Sequence, residues 1–344
     1  MPALPNGAAM PTKFAILGDG AWGTALALLL ARKSADNRVT LWSARPENAR
    51  LLRERRENVR LLPGVRIDDS VELTEDAALA VADADLVISA IPTVYLRPTL
   101  RRLAGVVPAS ARVLSLTKGL ENDTFLRPTE IVQEVLGVSD LAVLSGPSHA
   151  EEVSRGLPTS LVAASEDLDL ATWVQRAFST DRFRVYTNLD VLGVELGGAL
   201  KNVVGIAAGI SDGLAFGDNT KAALLTRGLV EMTRFGVALG AEAQTFTGLA
   251  GLGDLITTCM SRHGRNRHVG ERLGRGEKLA DILAGMSMVA EGVSTTRSVH
   301  DRARRMGIDM PITAEVYRVL YEGKDPRAAV VDLMLREHRH ERAW

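Results

Sequence analysis

The chain has 344 residues, 46% hydrophobic and 24% charged, which suits two domains of ordinary size and excludes a mostly disordered protein. Its 41 basic and 42 acidic side chains leave a net charge of −1, against a dedicated nucleic-acid binder. One cysteine, Cys259, excludes an internal disulfide, and no apolar run reads as approaching the roughly 18–20 residues of a membrane helix. Residues 1–11 lack the basic start and apolar segment of a signal peptide and read as a flexible extension.

In chain order, Lys13–Leu17, Arg38–Trp42, 85–91, 112–116 and 141–144 read as strands, each apolar and closed by glycine, proline or polar residues. Longer helical patterns, Ala21–Lys33 and 124–136 among them, alternate with these strands. Such alternation predicts a Rossmann-type, doubly wound, mostly parallel α/β sheet with helices on both faces. The runs Thr159–Ala164 and 182–186 flank a helical segment and extend that sheet. After Asp190 strand signals almost vanish, and helical stretches follow at 194–210, 220–239, 253–260, 265–273, 294–306 and 314–321. The expected division is a sheet domain at 12–190, an all-helical domain at 191–335, and a charged, solvated tail at 336–344.

Gly18-Asp-Gly20-Ala-Trp-Gly23 follows the first strand and opens the first helix. In that context GxGxxG is a strong signal. Gly18 allows the tight turn, Gly20 lets backbone approach a pyrophosphate, and Gly23 permits close helix–strand packing. The alternative is a glycine-rich turn that binds nothing. The second strand is followed by Ser43, Ala44 and Arg45, with Glu47 further on, so the strand end carries an arginine and no carboxylate. This favours a 2′-phosphate, hence NADP (NADPH) over NAD (NADH), unless Arg45 is only a surface charge. Lys118 in Leu116-Thr-Lys118-Gly119, and Gly146-Pro-Ser148-His-Ala150, end the next strands and point to the same crevice.

Gly197-Gly-Ala-Leu-Lys201-Asn202-Val-Val-Gly205-Ile-Ala-Ala-Gly209 places Gly198, Lys201/Asn202, Gly205 and Gly209 on one helical face. Interior glycines cost about 1 kcal/mol each relative to alanine, so a bare face implies close approach of a helix or a ligand. A tightly packed helix pair with a snorkelling lysine explains it equally well.

Together these motifs resemble the bacterial type of NAD(P)-dependent glycerol-3-phosphate dehydrogenase, over nearly everything from Lys13 to Leu335. The most specific stretch runs from Gly198 to Asn219, joined by Gly248-Leu-Ala-Gly-Leu-Gly-Asp254, Arg265-Asn266-Arg267 and Val289-Ala-Glu291-Gly292. The resemblance implies reversible reduction of dihydroxyacetone phosphate to sn-glycerol 3-phosphate for phospholipid synthesis, in the cytoplasm. It implies Lys201 as proton donor and acceptor. Lys118, Gly146, Ser148, Lys201, Asp254, Gly264, Arg265 and Asn266 would contact substrate. Gly18, Gly20, Ala21, Trp22, Gly23, Arg45, Lys118, Ala150, Arg265, Val289 and Glu291 would contact cofactor. A small-molecule substrate is the expected partner, with no nucleic acid and no membrane span, and a homodimer is compatible with the architecture.

Four positions depart from the family pattern. Ala21 stands where serine is common, Gly205 replaces alanine, and Ala44 replaces a frequent arginine, leaving Arg45 as the phosphate contact. Gly264 replaces a serine that contacts substrate and is expected to act through backbone only. Lys201 can move a proton in both directions only with its pKa lowered, and burial and Lys118 act that way. The six histidines lack metal-ligand spacing with cysteine or carboxylate, so no metal site is expected. The rivals are a hydroxy-acid or ketopantoate reductase and a nucleotide sensor without turnover.

Overall fold

The computed structural model describes residues 12–337, 340 and 341. The expected extension at 1–11 lies outside the described residues, as do 338, 339 and 342–344 of the expected tail.

Eight strands form one sheet in the spatial order Phe183–Asn188, Thr159–Ala164, Leu141–Ser145, Val113–Ser115, Leu86–Ser89, Lys13–Leu17, Arg38–Trp42, Val71–Thr74. Pairing is parallel except between Leu141–Ser145 and Thr159–Ala164, which run antiparallel, so the last two strands are reversed. Side chains alternate between two cores. Phe14 and Ile16 enter one, with Leu26, Leu28, Val174 and Phe178, while Ala15 and Leu17 enter the other, with Leu96, Leu100, Ile131 and Val132. Helices therefore cover both faces, as the apolar runs require.

Beyond the sheet, helices pack around Val191–Gly213, which is buried along nearly its whole length between two apolar clusters. Asp190 starts it, its side chain accepting the Gly193 N–H at 2.7 Å. At 23 residues and a mean hydropathy of 1.4 over its most apolar window, this helix is long and apolar enough to cross a bilayer. That corrects the sequence reading, which found no such run. The window is 89% buried inside the protein, the mark of a core helix.

Other differences are local. The helix expected at 124–136 begins at Pro128, because Asp123 and Phe125 take positive φ and proline suits only the first helical turn. The strand Val71–Thr74 and the small hairpin of Glu57–Asn58 with Leu62–Arg66 are short and were not expected. Nor was the helix Thr93–Leu103, whose buried Thr93, Leu96, Leu100 and Leu103 do recur at helical spacing but with Pro98 inside the run. In the tail, Arg336 pairs with Asp309 at 2.9 Å rather than standing free in solvent.

Candidate active site

The glycines of the first motif have separate steric reasons. Gly18 has φ +125°, and a Cβ there would stand 2.8 Å from the Ala90 carbonyl oxygen. A Cβ on Gly23 would collide with the Gly18 carbonyl, whereas Gly20 has nothing within 4 Å. Gly20 starts the Ala21–Lys33 helix without a side-chain cap, so its first amides are free to meet an anion. Buried Trp22 Nε1 and Ser89 Oγ find no protein partner. An open glycine edge, an uncapped helix start and orphaned polar atoms fit a dinucleotide. Arg45 is exposed at the end of the second strand, its backbone N–H donating to Ser43 Oγ at 3.3 Å.

At the other end of the cleft one carboxylate holds two ammonium groups. Asp254 Oδ2 lies 2.8 Å from Lys118 Nζ, and Oδ1 lies 3.0 Å from Lys201 Nζ. Lys118 Nζ also donates to the Gly146 carbonyl at 2.9 Å and reaches Ser148 Oγ at 3.5 Å. Lys201 Nζ donates to Thr258 Oγ1 at 2.5 Å. Burial pushes the Lys201 pKa down to about 8, Lys118 and Arg265 push the same way, and Asp254 opposes them. Two cations against one anion leave excess positive charge where an anionic substrate would enter.

The bare face of the Val191–Gly213 helix explains how these groups meet. A Cβ on Gly198 would stand 3.0 Å from Ser145 Oγ and 3.4 Å from Lys118 Cγ, so its absence lets Lys118 cross the helix. A Cβ on Gly197 would stand 2.7 Å from the Ala250 carbonyl in the π-turn Leu249–Gly253, which delivers Asp254. A Cβ on Gly205 would stand 2.7 Å from Thr258 Cγ2, so glycine here leaves room for that methyl while the hydroxyl turns to Lys201. Further along, Gly209 would collide with the Arg267 carbonyl. One end of the face therefore packs on a helix and the other on Lys118 and the Leu249–Gly253 turn, while Lys201 is buried and ion-paired with Asp254 rather than snorkelling to solvent.

Gly264 starts the Arg265–Gly274 helix, again without a side-chain cap, and a Cβ there would stand 2.7 Å from the Thr258 carbonyl. A serine would need backbone to move, which is the physical content of this departure. Asn266 Nδ2 donates to Asn202 Oδ1 at 2.9 Å, and Asn202 Nδ2 donates to the Lys118 carbonyl at 3.0 Å. Arg265 Nη1 donates to the Val289 carbonyl at 2.9 Å. Glu291 Oε1 accepts from the Thr93 N–H and hydroxyl at 2.9 and 2.8 Å, tying the helical half to the sheet. Gly146 has φ +129°, and buried Ala150 starts the short helix that follows its loop.

Lys118, Gly146, Ser148, Lys201 and Asp254 thus form one cluster, joined through Asn202 to Asn266. Arg265 and Val289 pair beside it, and Glu291 engages Thr93. Arg45 stands apart, with the glycine loop. Sequence reasoning missed Thr258 and Thr93 and gave Asn202 no role. Thr258 had a signal: it lies four residues after Asp254 on the Asp254–Met260 helix, hence on the same face.

Residues 13–171 match the family profile for the NAD-dependent glycerol-3-phosphate dehydrogenase N-terminus, and residues 190–331 match the C-terminus of the same family. The chain belongs to this family. A glycerol-3-phosphate dehydrogenase [NAD(P)+] of Chlorobium phaeobacteroides (strain BS1) is 50% identical over 96% of the chain and 99% of its own length. One from Moorella thermoacetica is 50% identical over 96% and 98%. The crystal structure of glycerol-3-phosphate dehydrogenase from Coxiella burnetii superposes with a TM-score of 0.91 at 38% identity, covering 95% of this chain and all of that one.

Proposed function

We propose that the chain catalyses reversible NAD(P)H-dependent reduction of dihydroxyacetone phosphate to sn-glycerol 3-phosphate, supplying glycerophospholipid synthesis. The observation that carries this reading, within the family, is the Asp254 carboxylate holding Lys118 and Lys201 at the carboxyl ends of the strands. Residues 12–190 bind the dinucleotide, and 191–335 bind substrate and supply the acid–base group. The cofactor is NAD(H) or NADP(H). A cytoplasmic location suits a phosphorylated substrate, and a homodimer is compatible with the architecture.

Bound NAD(P)H supplies the hydride. Gly18, Gly20, Ala21, Trp22 and Gly23 hold its pyrophosphate side, with Ala150, Val289 and Glu291 nearer the cleft. As negative charge grows on the substrate oxygen, the Lys201 ammonium stabilises it and then protonates it. In the reverse direction neutral Lys201 takes the hydroxyl proton. Asp254 and Thr258 aim Nζ, and Lys118, anchored on Gly146 and Ser148, adds a second positive charge. Arg265, Asn266 and the open Gly264 end of their helix hold the phosphate, where planar donors and helix amides favour an anion.

The direct test is oxidation of NADH and NADPH by the purified protein with dihydroxyacetone phosphate. Failure with both, from folded protein that binds cofactor, would move the activity to another reductase class. Arg45→Ala should raise the KM for NADPH about tenfold or more, the worth of a charged hydrogen bond, and leave NADH nearly unchanged. Equal effects on both cofactors would remove Arg45 from the 2′-phosphate.

A further inference from the structure

The second strand ends without a carboxylate, yet the fold brings one there. Gly18 turns the chain so that Asp19 lies against that strand end, where Ser43 Oγ donates to Asp19 Oδ2 at 2.8 Å. Ser43 is buried, and its Oγ also accepts the Arg45 backbone N–H, so one hydroxyl ties Asp19 to the arginine's own backbone. From the other side, buried Asn58 donates Nδ2 to the Asp19 carbonyl at 2.8 Å and to Thr24 Oγ1 at 3.0 Å. Asp19 is therefore held by two elements, neither adjacent in sequence. Among the described residues no side-chain cation pairs with its carboxylate.

In a sheet of this order, the end of the second strand is where the adenosine ribose lies, and a carboxylate there accepts from its hydroxyls. The same charge repels a 2′-phosphate, while Arg45 attracts one. We propose that Asp19 is a specificity-determining residue that substitutes for the missing strand-end acid, favouring the ribose hydroxyls of NAD(H) and restraining the use of NADP(H) that Arg45 permits. This rests on the dinucleotide site of the proposed function. The dinucleotide preference is then the balance of two opposed charges, bridged by Ser43, rather than the arginine alone.

The test is calorimetric titration of NAD+ and NADP+, and of the fragments 5′-ADP and 2′,5′-ADP, into the unsubstituted protein and Asp19→Asn. Asparagine keeps an acceptor for Ser43 and removes only the charge. The ratio of the NAD+ to the NADP+ Kd should shift at least tenfold towards NADP+, with the same shift in the fragment pair. That shift should shrink as salt is raised. Ser43→Ala, which frees the carboxylate, should move the ratio the same way by less, and it serves as the readout if Asp19→Asn does not fold. Ratios within twofold of the parent in the folded variants would overturn the role of Asp19. Failure of the unsubstituted protein to bind any of the four would instead overturn the dinucleotide site.

Discussion

Lys201→Ala is expected to lower kcat for dihydroxyacetone phosphate reduction by about a hundred- to ten-thousandfold, the range for removing a positioned acid–base group. NADH binding should be unchanged within about threefold, since the Lys201 ammonium engages Asp254 and Thr258 rather than the glycine loop. Loss of the ammonium also frees Asp254 to pair with Lys118 alone, so some substrate affinity should go with it. The pH profile separates this role from a structural one. With Lys201 at about 8, reduction needs the protonated form and should fall as pH rises through that value, while glycerol 3-phosphate oxidation should rise. Stopped-flow and steady-state rates in both directions are the measurement. Near-normal turnover in Lys201→Ala, or a profile flat across pH 8, would remove Lys201 from the chemistry.

Gly209→Ala should strongly destabilise the helical half. Its Cβ would collide with the Arg267 carbonyl and stand 2.7 Å from the Glu271 amide, and Gly270 meets the Ile206 carbonyl in the same reciprocal way. The two helices touch backbone to backbone, so no side chain can swing aside to make room. A loss of about 3 kcal/mol is expected, at the upper end for overpacking, read from the urea midpoint at constant m-value. Asn266 rides on the displaced helix, so the KM for dihydroxyacetone phosphate should rise while NADH affinity holds. A variant as stable as the parent would mean that the helices can separate freely at this crossing.

Much of the fold was legible because its signals are local. Strands such as Lys13–Leu17 are buried on both faces and therefore uniformly apolar, and the glycine loop announces itself by spacing after such a strand. Val71–Thr74 was missed because Val-Glu-Leu-Thr is short and its one charged residue, Glu72, is satisfied across the sheet by the Thr40 hydroxyl. The Pro128 helix start was misplaced because an apolar pattern does not see positive φ at Asp123 and Phe125. The length and apolarity of Val191–Gly213 escaped because its glycines and lone lysine hide a run that only burial makes coherent.

The site divides along the same line. The types of group needed, a glycine loop, a lysine on a glycine-faced helix and an arginine at a helix start, were determined by sequence alone, since each belongs to one element with its own periodicity. Which groups touch was decided by tertiary structure. Asp254 is 136 residues from Lys118, Thr258 is 57 from Lys201, and Asn58 is 39 from the Asp19 carbonyl it holds. The Lys201 pKa near 8 likewise exists only once desolvation, two neighbouring cations and one carboxylate are assembled around it. Local pattern specifies what a segment can offer; charge pairing and burial depend on distances that only the folded chain creates.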